Sequence, residues 1–339
     1  MGCQKMCNRV HYAVSDVIAI ILVFIIVSTT VGFILLWGTP YIDEKKAQSR
    51  KESALTQFSM ITDVIKDDVI SQGFRSKKIV EFRTDSGYLN LDSQGERFIL
   101  YYSLYPNFDF NVSGLGFDGK DKEFTFKIEK DPQGLANSLT IKYLYDGSSE
   151  VIDPIPGELI TVNGLLSNAV QIDINNIGKM VVGRIWLFDT GSIQYETSSS
   201  YTTYSVIIEN GAVLSNQQNY GFLYYEPTIY NNDDVLGIRI IQLKPNSIES
   251  AGGSGGLQCR FTIKLNNSYL REDSARVPVC LKMQIFGNDA CVGAWKNYFT
   301  SLATHGFSQF PDGTLYLKPE GGMNFTLTHS VCDVSMRVV

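Results

Sequence analysis

The sequence predicts a long N-terminal α-helix, first transmembrane and then amphipathic, followed by an all-β, sandwich-like extracellular domain. Three observations carry this prediction: an uncharged apolar stretch, a helical stripe of apolar residues after it, and alternating apolar and polar residues through most of the remaining chain. The predicted divisions are a basic leader at 1–13, a transmembrane helix at 14–39, an amphipathic helix at 40–73 and a β-rich domain at 77–339, in one module or in two that divide near 146–157.

The stretch from Val17 to Trp37 is long enough to cross a membrane. It contains no Asp, Glu, Lys, Arg or His, and at about 1.5 Å per residue it covers the roughly 30 Å of a bilayer core. A cleaved secretory signal is the alternative, but such signals have a shorter apolar core and small residues at the cleavage site. Because Leu35-Leu36-Trp37 offers no such site, we favour a retained membrane-spanning helix.

The charges on either side of this stretch conflict with an external domain. Lys5 and Arg9 precede it, whereas Lys45, Lys46, Arg50 and Lys51 follow it closely, and the side richer in Lys and Arg usually stays in the cytoplasm. The cysteine pattern and the processing signal described below favour the opposite orientation. We therefore place the large domain outside the cell.

Composition bounds the class of protein. A chain that is 44% hydrophobic can bury a sizeable core, and 29 glycines with 12% aromatic residues suit a turn-rich β protein. The net charge of -6 argues against a nucleic-acid partner, whose phosphates need a basic surface.

The cysteines form two sets. Cys3 and Cys7 lie in the leader, and the other four lie in the last part of the chain: Cys259, Cys280, Cys291 and Cys332. An even number in one strand-rich region predicts two disulfides in an oxidising compartment. Four buried free thiols are the alternative, and the absence of a C-x-x-C pair disfavours zinc. Among three pairings we weakly favour Cys280 with Cys291 and Cys259 with Cys332.

A second helix is predicted after the apolar stretch. Pro40 should kink or interrupt the first helix, and a helix from Ile42 to Ser71 should end at Gly73, a residue suited to a helix C-terminus. Its apolar residues recur every three or four positions: Ala54, Phe58, Ile61, Ile65 and Val69. We expect this stripe to pack on the β domain, while the N-terminal part of the helix extends the membrane helix into a bundle with neighbouring subunits.

Strand patterns fill the rest of the chain. Lys122–Glu129 alternates apolar and charged residues, as half-buried antiparallel strands do, and similar runs recur to the C-terminus. Turn sequences such as Glu209-Asn210-Gly211 separate them. One short helix is predicted at Ala294–Thr304. The pattern is typical of a β-sandwich or two packed β modules.

The motifs that could indicate catalysis are weak. Gly252–Gly256 matches G-x-S-x-G, but a strand pattern follows it where a serine nucleophile would require a helix. Gly114–Lys120 resembles a phosphate-binding loop, yet Asp121 replaces the required Ser or Thr. The three histidines, His11, His305 and His329, form no metal-binding or catalytic spacing. We therefore expect no enzyme activity, cofactor or metal, although a carboxylate pair brought together by folding stays open.

Three sequons are glycosylation candidates, at Asn111, Asn266 and Asn324. Chance alone would give about that many in a chain so rich in Asn, Ser and Thr. They agree with an external domain without establishing one.

Asp16 stands at the start of the apolar stretch, where an unpaired carboxylate is costly in lipid. Its simplest role is at a helix N-terminus, where the helix dipole favours negative charge. If the chain were cut before Val14, the new α-amine would lie within reach of Asp16, and the two charges could neutralise each other as subunits pack.

The segment Ala13-Val14-Ser15-Asp16-Val17-Ile18, after a short basic leader and before an apolar helix, resembles the start of archaeal type IV pilin-like proteins, which include the archaellin-related prepilins. The resemblance implies that a prepilin peptidase cuts between Ala13 and Val14 and removes Cys3 and Cys7. It also implies that the helix forms a filament core or membrane anchor and that the β head faces outward.

The expected function is that of a non-enzymatic, minor or specialised pilin-like subunit whose β head serves adhesion or interaction at the cell surface. Its expected partners are the membrane, a prepilin peptidase and other pilin-like subunits. One alternative is a single-pass anchored binding protein that never polymerises. A lesser alternative is an anchored hydrolase.

Overall fold

We describe the fold from a computed structural model. It describes residues 4–73, 76–93, 95–105, 109–112, 123–130, 134–144, 147–153, 159–163, 169–218, 220–231, 235–246, 250–274, 280–287, 289–302, 307–309, 315–317 and 324–339. Only the backbone is described at 4–16, 109–112, 123–130, 159–163, 231, 272–274, 280, 289, 307–309 and 315–317. The chain divides into two compact units, one formed by Met1–Ser49 with Ser198–Thr202 and the other by Arg50–Thr197 with Thr203–Val339.

The long N-terminal helix that the sequence predicts is continuous, and the segment predicted to begin at Ile42 is part of it. Helix α1 runs from Gln4 to Asp63 and contains Pro40 in its interior, so the interruption expected there does not occur. Proline removes one backbone hydrogen bond, but long helical segments on both sides keep the backbone helical because adding each further residue is favourable once a helix exists. A π-helical segment, Val64–Ile70, follows, and Gly73, three residues beyond Ile70, has a φ of +82°, which confirms the predicted end.

The rest of the described chain is mostly β-structure with one further helix, α2 (Asp289–Leu302), close to the predicted short helix. The strands are β1 (Lys77–Thr84), β2 (Gly87–Asp92), β3 (Arg97–Ser103), β4 (Asp109–Val112), β5 (Glu123–Lys130), β6 (Ser138–Tyr143), β7 (Ser149–Ile152), β8 (Leu159–Asn163), β9 (Val170–Asn175), β10 (Val181–Asp189), β11 (Ser192–Ser198), β12 (Thr203–Glu209), β13 (Ala212–Gln217), β14 (Tyr220–Tyr225), β15 (Ile229–Asn231), β16 (Val235–Pro245), β17 (Ser250–Gly253), β18 (Leu257–Ser274), β19 (Cys280–Phe286), β20 (Phe307–Gln309), β21 (Leu315–Leu317) and β22 (Asn324–Val338).

These strands form four sheets, which we name A to D. Sheet A has the order β1-β18-β22-β16-β15, sheet B the order β14-β13-β12-β11-β2-β17, sheet C the order β20-β21-β19-β3-β10-β9-β6-β7, and sheet D the order β4-β5-β8. β16 and β22 pair in parallel from Val235 opposite Asn324 to Pro245 opposite Val334. The prediction of an N-terminal helix followed by an all-β domain is confirmed.

A predicted turn shows how the sequence sets one hairpin. Asn210 and Gly211, between β12 and β13, have φ values of 46° and 68°. Two-residue hairpins with positive φ at both positions match the right-handed twist of the strands they join, and Asn-Gly is the favoured pair for them. Glu209-Asn210-Gly211 therefore fixes the register in which Glu209 lies opposite Ala212.

The C-terminal part of α1 lies in the core between sheets A and B. All members of the predicted apolar stripe are buried, and they share one cluster with residues from both sheets: Ala54, Phe58, Ile61, Ile65 and Val69 with, among others, Phe82, Ile263 and Val334 of sheet A and Leu89, Ile193 and Val206 of sheet B. The Phe82 ring lies 5.2 Å from the Phe58 ring and 5.2 Å from the Tyr195 ring, measured between centroids. The expected packing of the stripe on the β domain is confirmed.

The helix also hydrogen-bonds to the edge of sheet A. The Gln57 side-chain amide donates to the backbone carbonyl of Arg83 at 2.9 Å and accepts from the Arg83 N–H at 2.9 Å. β1 is an edge strand, so these backbone groups face away from its partner strand. Gln57 satisfies both of them, which protects an edge that could otherwise pair with another chain.

Lys66 of the π-helical segment binds to the β domain through its ammonium group. Its ammonium donates to the Glu226 carbonyl at 2.8 Å and lies 4.3 Å from the centre of the Tyr225 ring. Burial lowers the Lys66 pKa to about 8, although Asp63 nearby acts to raise it.

A second core is formed by α2, sheet C and parts of sheets A and B. Trp295 of α2 packs edge-to-face on Phe98 of β3, with ring centroids 5.1 Å apart, and Trp186, Leu214 and Phe325 belong to the same cluster. A third cluster, which includes Ile99 and Ile172, covers the opposite face of sheet C.

The cysteines do not form the predicted bridges. Cys259, Cys291 and Cys332 are buried free thiols, and Cys280 has no described side chain. In the register of β18 and β22, Cys332 lies opposite Leu265, six residues along the strand from Cys259. At about 3.3 Å per residue the two are roughly 20 Å apart, far beyond the ~7 Å limit between Cα atoms. The predicted Cys259–Cys332 pair is therefore wrong, and the alternative of buried thiols holds for the three described cysteines.

We expect Phe58→Ala to destabilise the β domain strongly. Phe58 is fully buried between sheets A and B, and replacing such a residue by alanine costs about 3–5 kcal/mol because a cavity remains. Urea unfolding of the chain in detergent, followed by near-ultraviolet circular dichroism, would measure it. Met60→Ala is the control, because Met60 is exposed on the same helix and should change the free energy of unfolding by less than about 0.5 kcal/mol. Equal effects of the two substitutions would contradict the buried position of the stripe.

Candidate functional site

The exposed N-terminal part of α1 is the first candidate site. None of its most apolar window is buried within the protein, and it is long and apolar enough to span a membrane. Exposed apolar patches on soluble monomers rarely exceed a few hundred Å², and here large apolar side chains from Val17 to Trp37 are exposed all around the helix. This surface needs an apolar environment, and single-pass membrane anchoring supplies one.

The few polar groups of this segment suit such an environment. The hydroxyls of Thr29 and Thr30 each donate to a backbone carbonyl one turn earlier, of Ile25 and Ile26, at 2.7 Å. They therefore need no water, which matters where none is present. Nothing lies within 4 Å of the position that a Cβ on Gly32 would occupy, so a neighbouring helix could approach closely there.

The predicted processing and assembly residues lie on this helix. Ala13, Val14 and Asp16 are all helical in α1, but only their backbone is described. The suggested pairing of the Asp16 carboxylate with an α-amine at Val14 therefore stays a prediction.

A buried acidic cluster was invisible in the sequence. Glu96 and Glu209 lie 113 residues apart in the chain, yet both are buried side by side. Glu209 Oε1 accepts from the Thr190 hydroxyl at 2.7 Å and from the Glu96 N–H at 3.1 Å. Burial first, and then the neighbouring Glu96 carboxyl, raise the pKa of Glu209 well above its usual range.

The acidic cluster is enclosed. Asp189 lies in the same region and is also buried, and the Cys291 thiol accepts from the Asn216 amide nearby at 3.2 Å. Burial, followed by Glu96 and Glu209, raises the pKa of Cys291, which keeps it a thiol. A hydrolytic carboxylate pair must face a substrate, and these carboxyls face the interior.

The other sequence candidates are separated in the fold. Ser254 lies in an exposed loop between β17 and β18, and the next element is a strand, so a serine elbow does not form there, as the strand pattern indicated. His329 is buried between Gln242, at 3.0 Å, and Arg271, at 3.2 Å. Burial and then Arg271 lower its pKa to about 3, so it stays neutral. His305 and Gly114–Lys120 lie outside the described residues.

The glycosylation candidates occupy different environments. Asn324 is exposed at the start of β22. Asn266 is half-buried within β18 and donates to Asp333 Oδ1 at 3.4 Å. Asn111 lies in β4, where only the backbone is described. Of the two candidates whose side chains are described, Asn324 is therefore more accessible than Asn266.

Comparison with known protein families, with curated proteins and with solved structures finds no match to this chain. Among the residues that the structure describes, no group of three or more His, Cys, Asp or Glu side chains could hold a metal ion.

Burial of Asp189 predicts a pH-dependent stability. Burial raises the pKa of its carboxyl to about 7 from 3.8, although Arg97 acts to lower it. Because the folded pKa is the higher one, the folded state keeps a proton that the unfolded state releases, and the free energy of unfolding falls as pH rises from about 4 to about 7. We expect Asp189→Asn to reduce that fall by on the order of 4 kcal/mol.

Urea unfolding at pH 4 and pH 8 would measure this difference. Asp85→Asn is the matched control, because Asp85 lies in the exposed turn between β1 and β2 and its substitution should leave the fall unchanged. An unchanged pH dependence in Asp189→Asn would show that this carboxyl does not hold the proton.

Proposed function

We propose that this chain is a minor or specialised pilin-like structural subunit, anchored by its N-terminal helix and carrying a β head exposed for adhesion or interaction. The observation that supports it is that two parts of one continuous helix lie in different environments. α1 is apolar and exposed in its N-terminal part, and its C-terminal stripe is buried in the core of the β domain. The two parts suit an anchor or filament core and a head, respectively.

The burial of the stripe suits a subunit that bears load. A head joined to its anchor by a flexible linker would transmit force through the linker alone. Here Phe58, Ile61 and Ile65 lie between two sheets, so pulling the helix away from the head would expose the hydrophobic core. Each fully buried residue of this kind contributes about 1.5–3 kcal/mol.

The sequence around the proposed cut supports assembly. Removal of the leader between Ala13 and Val14 would begin the mature chain two residues before Asp16. A new α-amine there could neutralise the carboxylate of a neighbouring subunit, which would favour packing of helices in an apolar bundle. Gly32, with open space beside it, would allow that packing to be close.

A single-pass anchored binding protein that does not polymerise is the second candidate. The observation that favours it is a stripe of exposed aromatic residues, Tyr220, Phe222 and Tyr224, on one face of the edge strand β14. The same strand packs on α2, since a Cβ on Gly221 would lie 2.2 Å from the Ala290 carbonyl oxygen. Exposed aromatic residues are enriched at binding surfaces, so this stripe suits contact with a partner.

Mass-spectrometric sequencing of the native N-terminus separates the two candidates. We expect a start at Val14 in protein recovered from sheared surface filaments. A start at Val14 found only in membranes would favour a processed anchor that does not polymerise. A start at Met1 found only in membranes would refute the pilin-like proposal.

We expect Asp16→Ala to abolish incorporation into filaments while membrane anchoring and processing persist, because the α-amine of the mature chain would lack its partner. Immunoblotting of sheared filaments and of membranes would measure both. Glu52→Ala is the control, since Glu52 is an exposed carboxylate on the same helix and lies outside the apolar stretch. Normal incorporation of Asp16→Ala would contradict the proposed charge pairing.

A further inference from the structure

We propose that the tip of the β11–β12 hairpin, Ser198–Thr202, is a second membrane contact that lies in the headgroup layer of the bilayer, with Tyr201 as its anchor. The proposal rests on the proposed function in one respect, that α1 crosses a membrane. It adds that the chain touches the bilayer through a segment far from the helix in sequence.

The tip is a tight turn that is hydrogen-bonded to α1. Within it, the Ser199 hydroxyl oxygen accepts from the Thr202 N–H at 2.9 Å and from the Tyr201 N–H at 3.2 Å, and the Ser199 N–H donates to the Thr202 carbonyl at 2.8 Å. The same hydroxyl donates to a carboxylate oxygen of Glu44 on α1. These bonds hold the Tyr201 backbone beside the helix.

Tyr201 and the helix together line an open groove of about 580 Å³. Its wall is formed by Phe33, Leu36, Trp37, Pro40, Tyr41, Glu44 and Tyr201. Four of these are aromatic side chains that are largely exposed: Phe33 is 64% exposed, Trp37 76%, Tyr41 64% and Tyr201 70%. The Phe33 and Trp37 rings stack with centroids 6.0 Å apart.

The place of the groove along α1 sets its depth in a membrane. Phe33 and Leu36 belong to the uncharged stretch that would lie in the hydrocarbon, and Glu44 lies beyond it. From Trp37 to Glu44 the helix rises about 10 Å at 1.5 Å per residue, somewhat more than the thickness of one headgroup layer. The groove is therefore continuous with the membrane-spanning surface and opens at the interface.

The residue types match that position. Trp and Tyr concentrate where hydrocarbon meets water, because their rings are apolar and their N–H or O–H remains hydrated. Lys45 and Lys46 are exposed one turn after Tyr41, at the level of lipid phosphates, and the Lys45 ammonium lies 5.8 Å from the centre of the Tyr41 ring. We therefore assign the groove to the lipid interface, in preference to a second copy of the chain.

Tryptophan fluorescence of the full chain in phosphatidylcholine vesicles tests the proposal. The chain has three tryptophans, and Trp186 and Trp295 are fully buried, so Trp37→Phe removes the exposed emitter. Tyr201→Trp in that background reports on the tip. Tyr220→Trp in the same background is the matched control, since Tyr220 is an 84% exposed tyrosine on β14.

The quenchers are phosphatidylcholine brominated near the glycerol end of its acyl chains and, separately, aqueous acrylamide. We expect brominated lipid to reduce the emission of Trp at position 201 and to leave that of Trp at position 220 unchanged. Acrylamide should quench Trp at position 220 more strongly than Trp at position 201. The emission of position 201 should also shift to shorter wavelength when lipid is added.

Three results would overturn the proposal. Quenching of position 201 by acrylamide alone would place the tip in water, and shielding from both quenchers would assign the groove to a second copy of the chain. In either case, quenching of Trp37 by brominated lipid in the unmodified chain would show that anchoring still holds. Failure to quench Trp37 as well would refute the membrane-spanning helix, and the present proposal with it.

Discussion

Burial of one helical stripe between two sheets is the constraint on which the rest of this structure depends. Sheets A and B each present an apolar face, and neither face closes on the other alone, because the side chains of α1 occupy the space between them. The Phe82 ring of sheet A contacts both the Phe58 ring of the helix and the Tyr195 ring of sheet B. The β domain therefore requires its helix for a complete core, in the way that a sandwich requires both of its sheets.

This arrangement explains two local features. The π-helical segment brings Ile65, Lys66, Val69 and Ile70 all into the interior, a broader face than an ordinary helical turn buries. Lys66 can be buried because its ammonium donates to a backbone carbonyl and lies over an aromatic ring. Its pKa is lowered because burial disfavours the charged form. Both features serve the attachment of the helix end to the β domain.

Features set by residues close together in the sequence were predicted, whereas features set by the register between distant strands were missed. Spacing revealed the stripe from Ala54 to Val69, and Asn210-Gly211 revealed its hairpin, because both signals lie within a few residues. Counting cysteines predicted bridges, whereas the pairing of β18 with β22 sets Cys259 and Cys332 about six residues apart along the strands. Glu96 and Glu209 are likewise brought together from positions 113 residues apart, so no local signal could have found their contact.

The exposed part of α1 suits a membrane and a helical bundle equally well. Its threonine hydroxyls already bond to the helix backbone, so transfer from lipid to a bundle of neighbouring helices would leave no hydrogen bond unmade. Lipid is as apolar as the side chains of a bundle, and packing decides between the two environments. If the leader is removed as proposed, Asp16 would change that balance, because an α-amine at Val14 of a neighbouring helix would pair with its carboxylate only in the bundle, and assembly would remove an unpaired charge from lipid.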